Sequence, residues 1–250
     1  MPHLGGQSTI TGVEFELWFV ALKFCDVFFD ENISVKPQAQ TFENPQTKKT
    51  ELVGIDDVVV SNCENIEFYN IKFRSPDIKE WTFSQLKQGK VWEQFKSQFL
   101  KTPNADLYFV SQSPCPIFAE ILPRGANCES RGALEIELSA NNYIQKWDEI
   151  KNELIFTDEQ MFEFAKKVKY KAVIDIFEIQ KTIKQVFSGH LTNASFVANT
   201  LYHLATESAK KGKNIKKSNI IEHFEKNDIH LKSHNFTKKS FEILKDNDRE

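Results

Sequence analysis

Cysteine is scarce in this sequence, and long apolar runs are absent. The 250 residues include four cysteines, and none of them forms a Cys-x-x-Cys pair, so neither a disulfide framework nor a zinc finger is expected. No apolar run approaches the roughly 18–20 residues that span a bilayer. The chain does not begin with a basic segment followed by an apolar one, which a signal peptide requires. We therefore expect a cytoplasmic protein with free thiols and no membrane contact.

Several catalytic motifs are also missing. The sequence contains no Gly-rich Walker loop, so the chain is not expected to be an NTPase itself. It contains no Gly-x-Ser-x-Gly segment, and its cysteines and histidines offer no credible catalytic pair. These absences argue against ATP hydrolysis, serine hydrolase chemistry and cysteine catalysis.

Phenylalanine is abundant, and the charge is unevenly distributed. There are 22 Phe against 9 Gly and 8 Pro, which indicates that Phe does much of the packing. The net charge is −3, but residues 1–160 carry 24 acidic against 15 basic side chains (net −9), whereas residues 161–250 carry 11 against 17 (net +6). The overall charge therefore does not argue against binding to nucleic acid, because its sign changes along the chain.

The first half of the sequence alternates helical and strand patterns. Residues 8–29 and 82–100 have apolar faces at helical spacing. Three segments rich in β-branched and aromatic residues are predicted strands: 52–60, 66–73 and 106–111. The polar turn 61–65 joins the first two as a hairpin, and the polar residues 36–50 are predicted to form a loop. The order α-β-β-α-β predicts an α/β fold whose central strands are covered on both faces.

The second half is predicted to be mostly helical. From Tyr143 onward the spacing favours helices, with a potential capping box at Thr157 and Gln160. Further helices are predicted at 181–187, 193–209 and 218–226. Residues 134–138 alternate in a way that fits either a short strand or the start of a helix.

The residues with the clearest chemical potential lie on the predicted hairpin. Asn70 and Lys72 are two positions apart on a strand, so their side chains share one face. Asp56 and Asp57 lie on the preceding antiparallel strand and point to opposite faces, so only one of them is expected to join Asn70 and Lys72. A carboxylate among valines and isoleucines is costly unless it is paired or bound to a metal. An Asp–Lys pair here can be a structural ion pair, or it can bind Mg²⁺ while the lysine orients a water molecule.

This arrangement resembles that of PD-(D/E)XK nucleases. In that superfamily an Asp on one strand is followed by Glu/Gln-x-Lys on the next, and a preceding helix carries a Glu. The matching segments in this sequence are Gly12-Val-Glu-Phe-Glu16, Gly54-Ile-Asp-Asp-Val-Val-Val60 and Phe68-Tyr-Asn-Ile-Lys-Phe73. The sequence looks most like the double-stranded DNA endonuclease domain of bacterial anti-phage systems, known from CBASS effectors, Avs-type NTPases and Lamassu effector subunits. The motifs cover roughly residues 5–112.

The resemblance implies a role for each motif residue. Asp57, directly before the apolar run, would be the principal metal ligand, with Asp56 as the alternative. Lys72 would be the catalytic lysine. Glu16, with Glu14 as the alternative, would complete the catalytic and metal site. Asn70 stands where the family has Glu or Gln, and its shorter, uncharged side chain implies weaker metal affinity or a degenerate site.

The fold implied by the resemblance is a restriction-endonuclease-like central mixed sheet flanked by helices and followed by a mostly α-helical C-terminal region. We expect the nuclease core to span residues 1–140 and the helical region to span 141–250, where it would contact DNA, a partner or another copy of the chain. Basic residues that follow the motif strand, together with a basic run over 210–217, are candidates for contacts with the DNA backbone: Arg74, Lys79, Lys87, Lys90, Lys213 and Lys216. The run 210–217 can also be a solvated loop.

The expected function is metal-dependent hydrolysis of phosphodiester bonds in double-stranded DNA, with Mg²⁺ or Mn²⁺ as cofactor. Because an unregulated nuclease would be toxic, we expect an effector of anti-phage or anti-plasmid defence that is controlled by a regulatory NTPase, an SMC-like sensor subunit or homo-oligomerisation. The alternative is a catalytically degenerate subunit that binds DNA or serves as a scaffold. A nuclease that acts on RNA also fits the residues.

Overall fold

The computed structural model describes residues 4–44, 48–74, 80–173 and 175–232, and side chains from residue 11 onward. The first described element is helix α1 (Leu4–Phe29), 26 residues long. From Phe15 onward α1 is buried on most of its circumference, because it packs between the central sheet and three helices near the end of the chain. None of the helices in the described part of the chain is long and apolar enough to cross a membrane.

Seven strands follow in two sheets: β1 (Ser34–Pro37), β2 (Thr41–Glu43), β3 (Thr50–Leu52), β4 (Val58–Ser61), β5 (Ile66–Lys72), β6 (Asp106–Ser111) and β7 (Val168–Ala172). The main sheet has the order β1-β4-β5-β6-β7, and β2 pairs with β3 in a small antiparallel sheet. Strands β1, β4 and β5 are antiparallel neighbours, whereas β6 and β7 run parallel to β5. The central sheet is therefore mixed, and the predicted α/β class is confirmed.

Helices cover both faces of this sheet. On one face lie α2 (Phe83–Gln88), α3 (Val91–Lys101), a π-helical turn (Ile117–Ile121), α4 (Leu122–Ala126), α5 (Arg131–Glu137), α6 (Tyr143–Leu154) and α7 (Asp158–Lys167). They bury Phe68, Phe95, Phe109 and other side chains in one apolar cluster. On the other face α1 packs with α8 (Ile176–Phe187), α9 (Ala194–Lys211) and α10 (Lys217–Lys226). Phenylalanine is frequent in both clusters, as its abundance predicts.

Several predicted elements are confirmed. The helix predicted at 8–29, the 61–65 hairpin turn and the strand at 106–111 are present. The predicted capping box forms at the start of α7, where Thr157 accepts a hydrogen bond from the Gln160 backbone. Residues 134–138, left open between strand and helix, belong to α5 except for Leu138, which caps it.

Other local predictions are wrong. The predicted strand at 52–60 is interrupted, because residues 53–57 form a loop that lies against α3. The predicted loop at 36–50 contains β2, and β1 and β3 overlap its two ends. The helix predicted at 82–100 is split at Gly89 and Lys90, where Lys90 has a left-handed backbone with φ 56°. Strand β7 was not predicted, since its Val-Lys-Tyr-Lys alternation follows α7 with no turn residue between them.

Candidate active site at one end of the sheet

The loop that carries Asp57 is fixed by helix α3. Gln98 is fully buried, and its Oε1 accepts hydrogen bonds from the backbone N–H groups of Gly54 (2.7 Å) and Ile55 (3.4 Å). Its Nε2 donates to Thr102 Oγ1 at 2.8 Å, which holds the amide in one orientation. A Cβ at position 54 would lie 2.9 Å from the Gln98 backbone nitrogen, so only glycine allows this approach. The loop therefore ends at Asp57 in a defined position.

Asp57 and Lys72 lie together at this end of the sheet. Lys72 Nζ is 3.4 Å from Asp57 Oδ2, and the same oxygen accepts the Ile71 backbone N–H at 2.6 Å. The side chains of Lys72 and Asp57 are 25% and 13% exposed. Burial raises the pKa of Asp57, and the attraction of Lys72 and the Ile71 hydrogen bond offset this only in part. The pair predicted from the hairpin is thus present, and its chemical role stays a prediction.

Glu16 faces this pair from helix α1. Its pKa is raised to about 7, first by burial and then by the negative charge of Asp57, while Lys72 lowers it. A hydrogen bond from the Gln38 side chain also favours the ionised form. Glu14 is exposed, and its charge acts on Tyr202 instead. Of the two carboxylates considered on this helix, Glu16 is therefore the one that lies at the candidate site.

Asn70 is fully buried beside the pair and only half satisfied. Its Nδ2 donates to Gln94 Oε1 at 2.8 Å, whereas its Oδ1 has no hydrogen-bond partner among the described residues. Gln94 Nε2 in turn donates to Asp56 Oδ1 at 3.4 Å. As expected, one of the two aspartates contacts Lys72, and among the described residues neither is hydrogen-bonded directly to Asn70. Asp57 contacts Lys72, and the exposed Asp56 is linked to Asn70 through Gln94.

The carboxylates open into a cavity of about 520 Å³. Its lining includes the carboxylates Glu16, Asp56 and Asp57. The other lining residues come from β1, the turn after it, the start of β2, and the end of α9 with the residue that follows: Lys36, Gln38, Gln40, Thr41, Ala209, Lys210 and Gly212. The site thus combines elements from both ends of the chain.

The donor atoms at this site suit an oxygen-ligated divalent cation. Glu16 and Asp57 supply carboxylates, and Asn70 Oδ1 is a buried acceptor without a partner among the described residues. Mg²⁺ is commonly bound through one or two carboxylates, with water or phosphate oxygens as the remaining ligands. Within the described parts of the chain, no three His, Cys, Asp or Glu side chains are grouped as a ready-made metal cluster. Binding of a cation by Glu16 and Asp57, with water or substrate as further ligands, stays a prediction.

The predicted DNA-contacting residues differ in how they are held. Arg74 stacks on Trp81 at 4.4 Å and donates to Glu80 O and Gln85 Oε1. Lys87 forms a 2.6 Å ion pair with Glu153. Lys87 is exposed, and so are Lys90, Lys213 and Lys216. Lys79 lies outside the described residues. Contact with DNA remains a prediction for all of them.

Sequence reasoning did not identify Gln94, Gln98 or Gln38 as residues that position the site. Gln98 and Gln94 are four residues apart and therefore lie on one face of α3. This spacing alone does not indicate a role, because the loop at 53–57 that packs against this face is not predicted from the sequence. Gln38 has a left-handed backbone with φ 45°, and its N–H donates to the Asp57 carbonyl at 2.7 Å. No local pattern reveals either contact.

The site combines a half-buried Asp–Lys pair, a neighbouring glutamate and a cavity. No protein-family model matches the chain, and no curated protein matches it at a significant level.

Solved structures similar to this chain include Cap4 SAVED/CARF-domain containing receptors. The receptor from Moraxella osloensis matches 86% of this chain at 12% identity and a TM-score of 0.49. The receptor from Acinetobacter baumannii matches 86% at 13% identity and a TM-score of 0.47. Its complex with the cyclic trinucleotide 3′3′3′-cAAA matches 86% at 14% identity and a TM-score of 0.49. The matches cover 48%, 47% and 48% of those chains, so this chain spans about half their length. Similarity at this level assigns neither a function nor a site.

Proposed function

We propose that this chain is a metal-dependent endonuclease that hydrolyses phosphodiester bonds in double-stranded DNA. The observation that carries the proposal is the contact between Lys72 Nζ and Asp57 Oδ2, 3.4 Å apart at the end of a mixed sheet, with Glu16 facing them from helix α1. The PD-(D/E)XK nucleases that the sequence resembles combine an Asp on one strand, a Lys on the next strand and a Glu on a preceding helix. The mixed sheet with helices on both faces supports a restriction-endonuclease-like fold for the core.

In this proposal Glu16, Asp57 and the Asn70 amide oxygen would hold Mg²⁺ or Mn²⁺. The bound cation would neutralise charge on the scissile phosphate and lower the pKa of a bound water. Lys72 Nζ, which donates to Asp57 Oδ2 at 3.4 Å, would also donate a hydrogen bond to that water or to a phosphate oxygen. Burial of the pair strengthens these interactions, because the surroundings screen charge less than bulk water does.

The biological role follows from the same resemblance. We propose that the chain is an effector of bacterial defence against phage or plasmids. Its activity would be released by a regulatory NTPase, an SMC-like sensor subunit or homo-oligomerisation, since free DNA cleavage in the cytoplasm would kill the host cell.

A second candidate function is a nuclease-fold subunit that has lost catalysis and binds DNA or serves as a scaffold. The observation in its favour is Asn70, an uncharged residue at the position where the related nucleases have Glu or Gln. Asn70 is also completely buried, and Gln94 holds its Nδ2. Both features make Asn70 a weaker metal ligand than a carboxylate at this position would be.

Cleavage of supercoiled plasmid in Mg²⁺ or Mn²⁺ separates the two functions. The wild-type chain is expected to nick or linearise the plasmid. Asp57→Asn is expected to cleave at least about 100-fold more slowly, because it removes a group that stabilises charge in the transition state. A duplex RNA of equal length, run in parallel, tests the RNA alternative. The enzymatic proposal fails if the wild type, alone and within its native complex, leaves the plasmid intact, or if Asp57→Asn cleaves equally fast.

A further inference from the structure

Two lysines outside the motif line the cavity beside Asp57. Lys36 lies on β1, and its Nζ donates to the Thr41 carbonyl at 2.7 Å, which fixes the ammonium in the cavity wall. Lys210 lies in the last turn of α9, about 170 residues further along the chain, and it lines the same cavity. The cavity is thus lined by three carboxylates and two ammonium groups.

The segment that carries Lys210 is anchored to the central sheet. Helix α9 ends at Gly212, whose φ of 58° turns the chain away from the helix axis. The following residues then run beside β1, where Val35 and Ile215 exchange two backbone hydrogen bonds of 3.0 and 2.8 Å. Asn214 Nδ2 also donates to Ser34 Oγ at 3.2 Å. The backbone pairing therefore ties the segment that follows Lys210 to β1.

The cavity is larger than a metal site needs. A water molecule accounts for about 30 Å³, so a cation with a full shell of about six waters fills less than half of the 520 Å³. The remaining space is adjacent to Lys210, which is exposed and has no ion-pair partner among the described residues. The next residue, Lys211, is already paired with Glu207 at 3.7 Å. Lys210 is thus available for an external anion.

We propose that Lys210 and Lys36 bind the phosphodiester backbone of a polynucleotide next to the bond presented to Asp57 and Lys72. The helical C-terminal region then forms one wall of the substrate groove. This inference rests on the proposed nuclease function, because it takes the cavity at Glu16 and Asp57 as the place of the substrate. Lysine contacts of this kind add affinity without reading base sequence.

The proposal can be tested by binding in the absence of cleavage. A fluorescently labelled duplex of about 30 base pairs is titrated with the full chain in EDTA, at several salt concentrations. We expect Lys210→Gln to weaken binding about three- to tenfold and to lower the salt slope by about one. Lys210→Arg should restore most of the affinity, and Lys36→Gln should weaken binding in the same direction.

Lys101→Gln provides a matched control. Lys101 is also an exposed lysine in the last turn of a helix, but α3 ends where β6 begins, at the opposite end of the sheet from Lys72. This variant should bind like the wild type. The inference is overturned if Lys210→Gln binds as tightly as wild type, if Lys101→Gln weakens binding equally, or if a free dinucleotide competes as well as duplex DNA.

The binding assay also separates this inference from the proposed function. A chain that binds DNA through Lys210 but never cleaves it supports the inference and refutes the nuclease proposal. A chain that cleaves DNA supports the nuclease proposal. If Lys210→Gln then changes neither the affinity nor the salt slope, the inference about Lys210 is refuted.

Discussion

The two ends of the central sheet each hold an aspartate–lysine pair, but they are built differently. At one end Asp106 Oδ2 lies 2.7 Å from Lys169 Nζ and also accepts a hydrogen bond from Asn65. Beside this pair, Tyr69 donates to Glu67 at 2.5 Å. We call this group the closed end, because its aspartate–lysine pair is short, at 2.7 Å.

The other end, which we call the open end, contains Asp57 and Lys72 at the longer distance of 3.4 Å. A second carboxylate, Glu16, faces the pair, and its pKa is raised to about 7. Asn70 Oδ1 lacks a partner among the described residues, and a cavity opens beside the acids. Similar residue types therefore give a satisfied structural network at one end and a costly, accessible cluster at the other. Proteins accept such costs mainly at functional sites.

The largest expected difference between the two ends is in catalysis. Lys72→Ala should reduce plasmid cleavage at least about 100-fold, because proton transfer or charge stabilisation by a positioned side chain contributes this much or more. Lys169→Ala, which removes the lysine of the closed end, should stay within about twofold of wild type. Initial rates of plasmid cleavage measure both. Equal losses in the two variants would mean that the ends are not functionally distinct.

A second difference concerns the loop that presents Asp57. Gly54→Ala is expected to lower the free energy of unfolding by about 1–3 kcal/mol, since its new methyl group overlaps the α3 backbone. Gly132→Ala is the matched control, because a Cβ there meets nothing within 4 Å. That variant should be neutral or slightly more stable. Urea unfolding followed by circular dichroism measures both changes, and an unaffected Gly54→Ala would show that α3 does not fix the loop.

The raised pKa of Glu16 makes stability depend on pH at the open end. A carboxyl group with a pKa raised from 4.5 to about 7 on folding stabilises the chain when protonated. That contribution is fully present below about pH 4.5 and is lost as the pH rises through about 7.

In metal-free buffer, Glu16→Gln should therefore match the wild type near pH 4.5 and be more stable by roughly 1–3 kcal/mol near pH 8. Thermal melts of the two proteins across this range provide the measurement. A stability difference that stays constant with pH, or that shrinks as pH rises, would contradict the assignment.

The smallest effect is expected at the closed end. Lys169 is 43% exposed, so Lys169→Gln should cost no more than about 1 kcal/mol of unfolding free energy, as is usual for ion pairs in contact with solvent. The same urea experiment detects this change. A loss above about 2 kcal/mol would mean that Asp106 and Lys169 behave as a buried, strongly coupled ion pair instead.

Local patterns in the sequence predicted the elements that carry the site, but not how those elements meet. Helix α1, the hairpin turn and strand β6 follow from periodicity and turn residues, and the i, i+2 spacing of Asn70 and Lys72 places both on one strand face. The loop at 53–57 could not be predicted, because it depends on contact between Gly54 and α3, more than 40 residues away. The cavity wall at Lys210 comes from the other end of the chain, so no local pattern predicts it.

The central claim is that the open end, and not the closed end, is a divalent cation site. Isothermal titration of the metal-free chain with MnCl₂ tests it directly and needs no activating partner. We predict measurable binding by the wild type and by Asp106→Asn, with at least about tenfold weaker binding by Asp57→Asn. If Asp57→Asn binds Mn²⁺ as tightly as the wild type does, or if the wild type binds none, the claim is wrong.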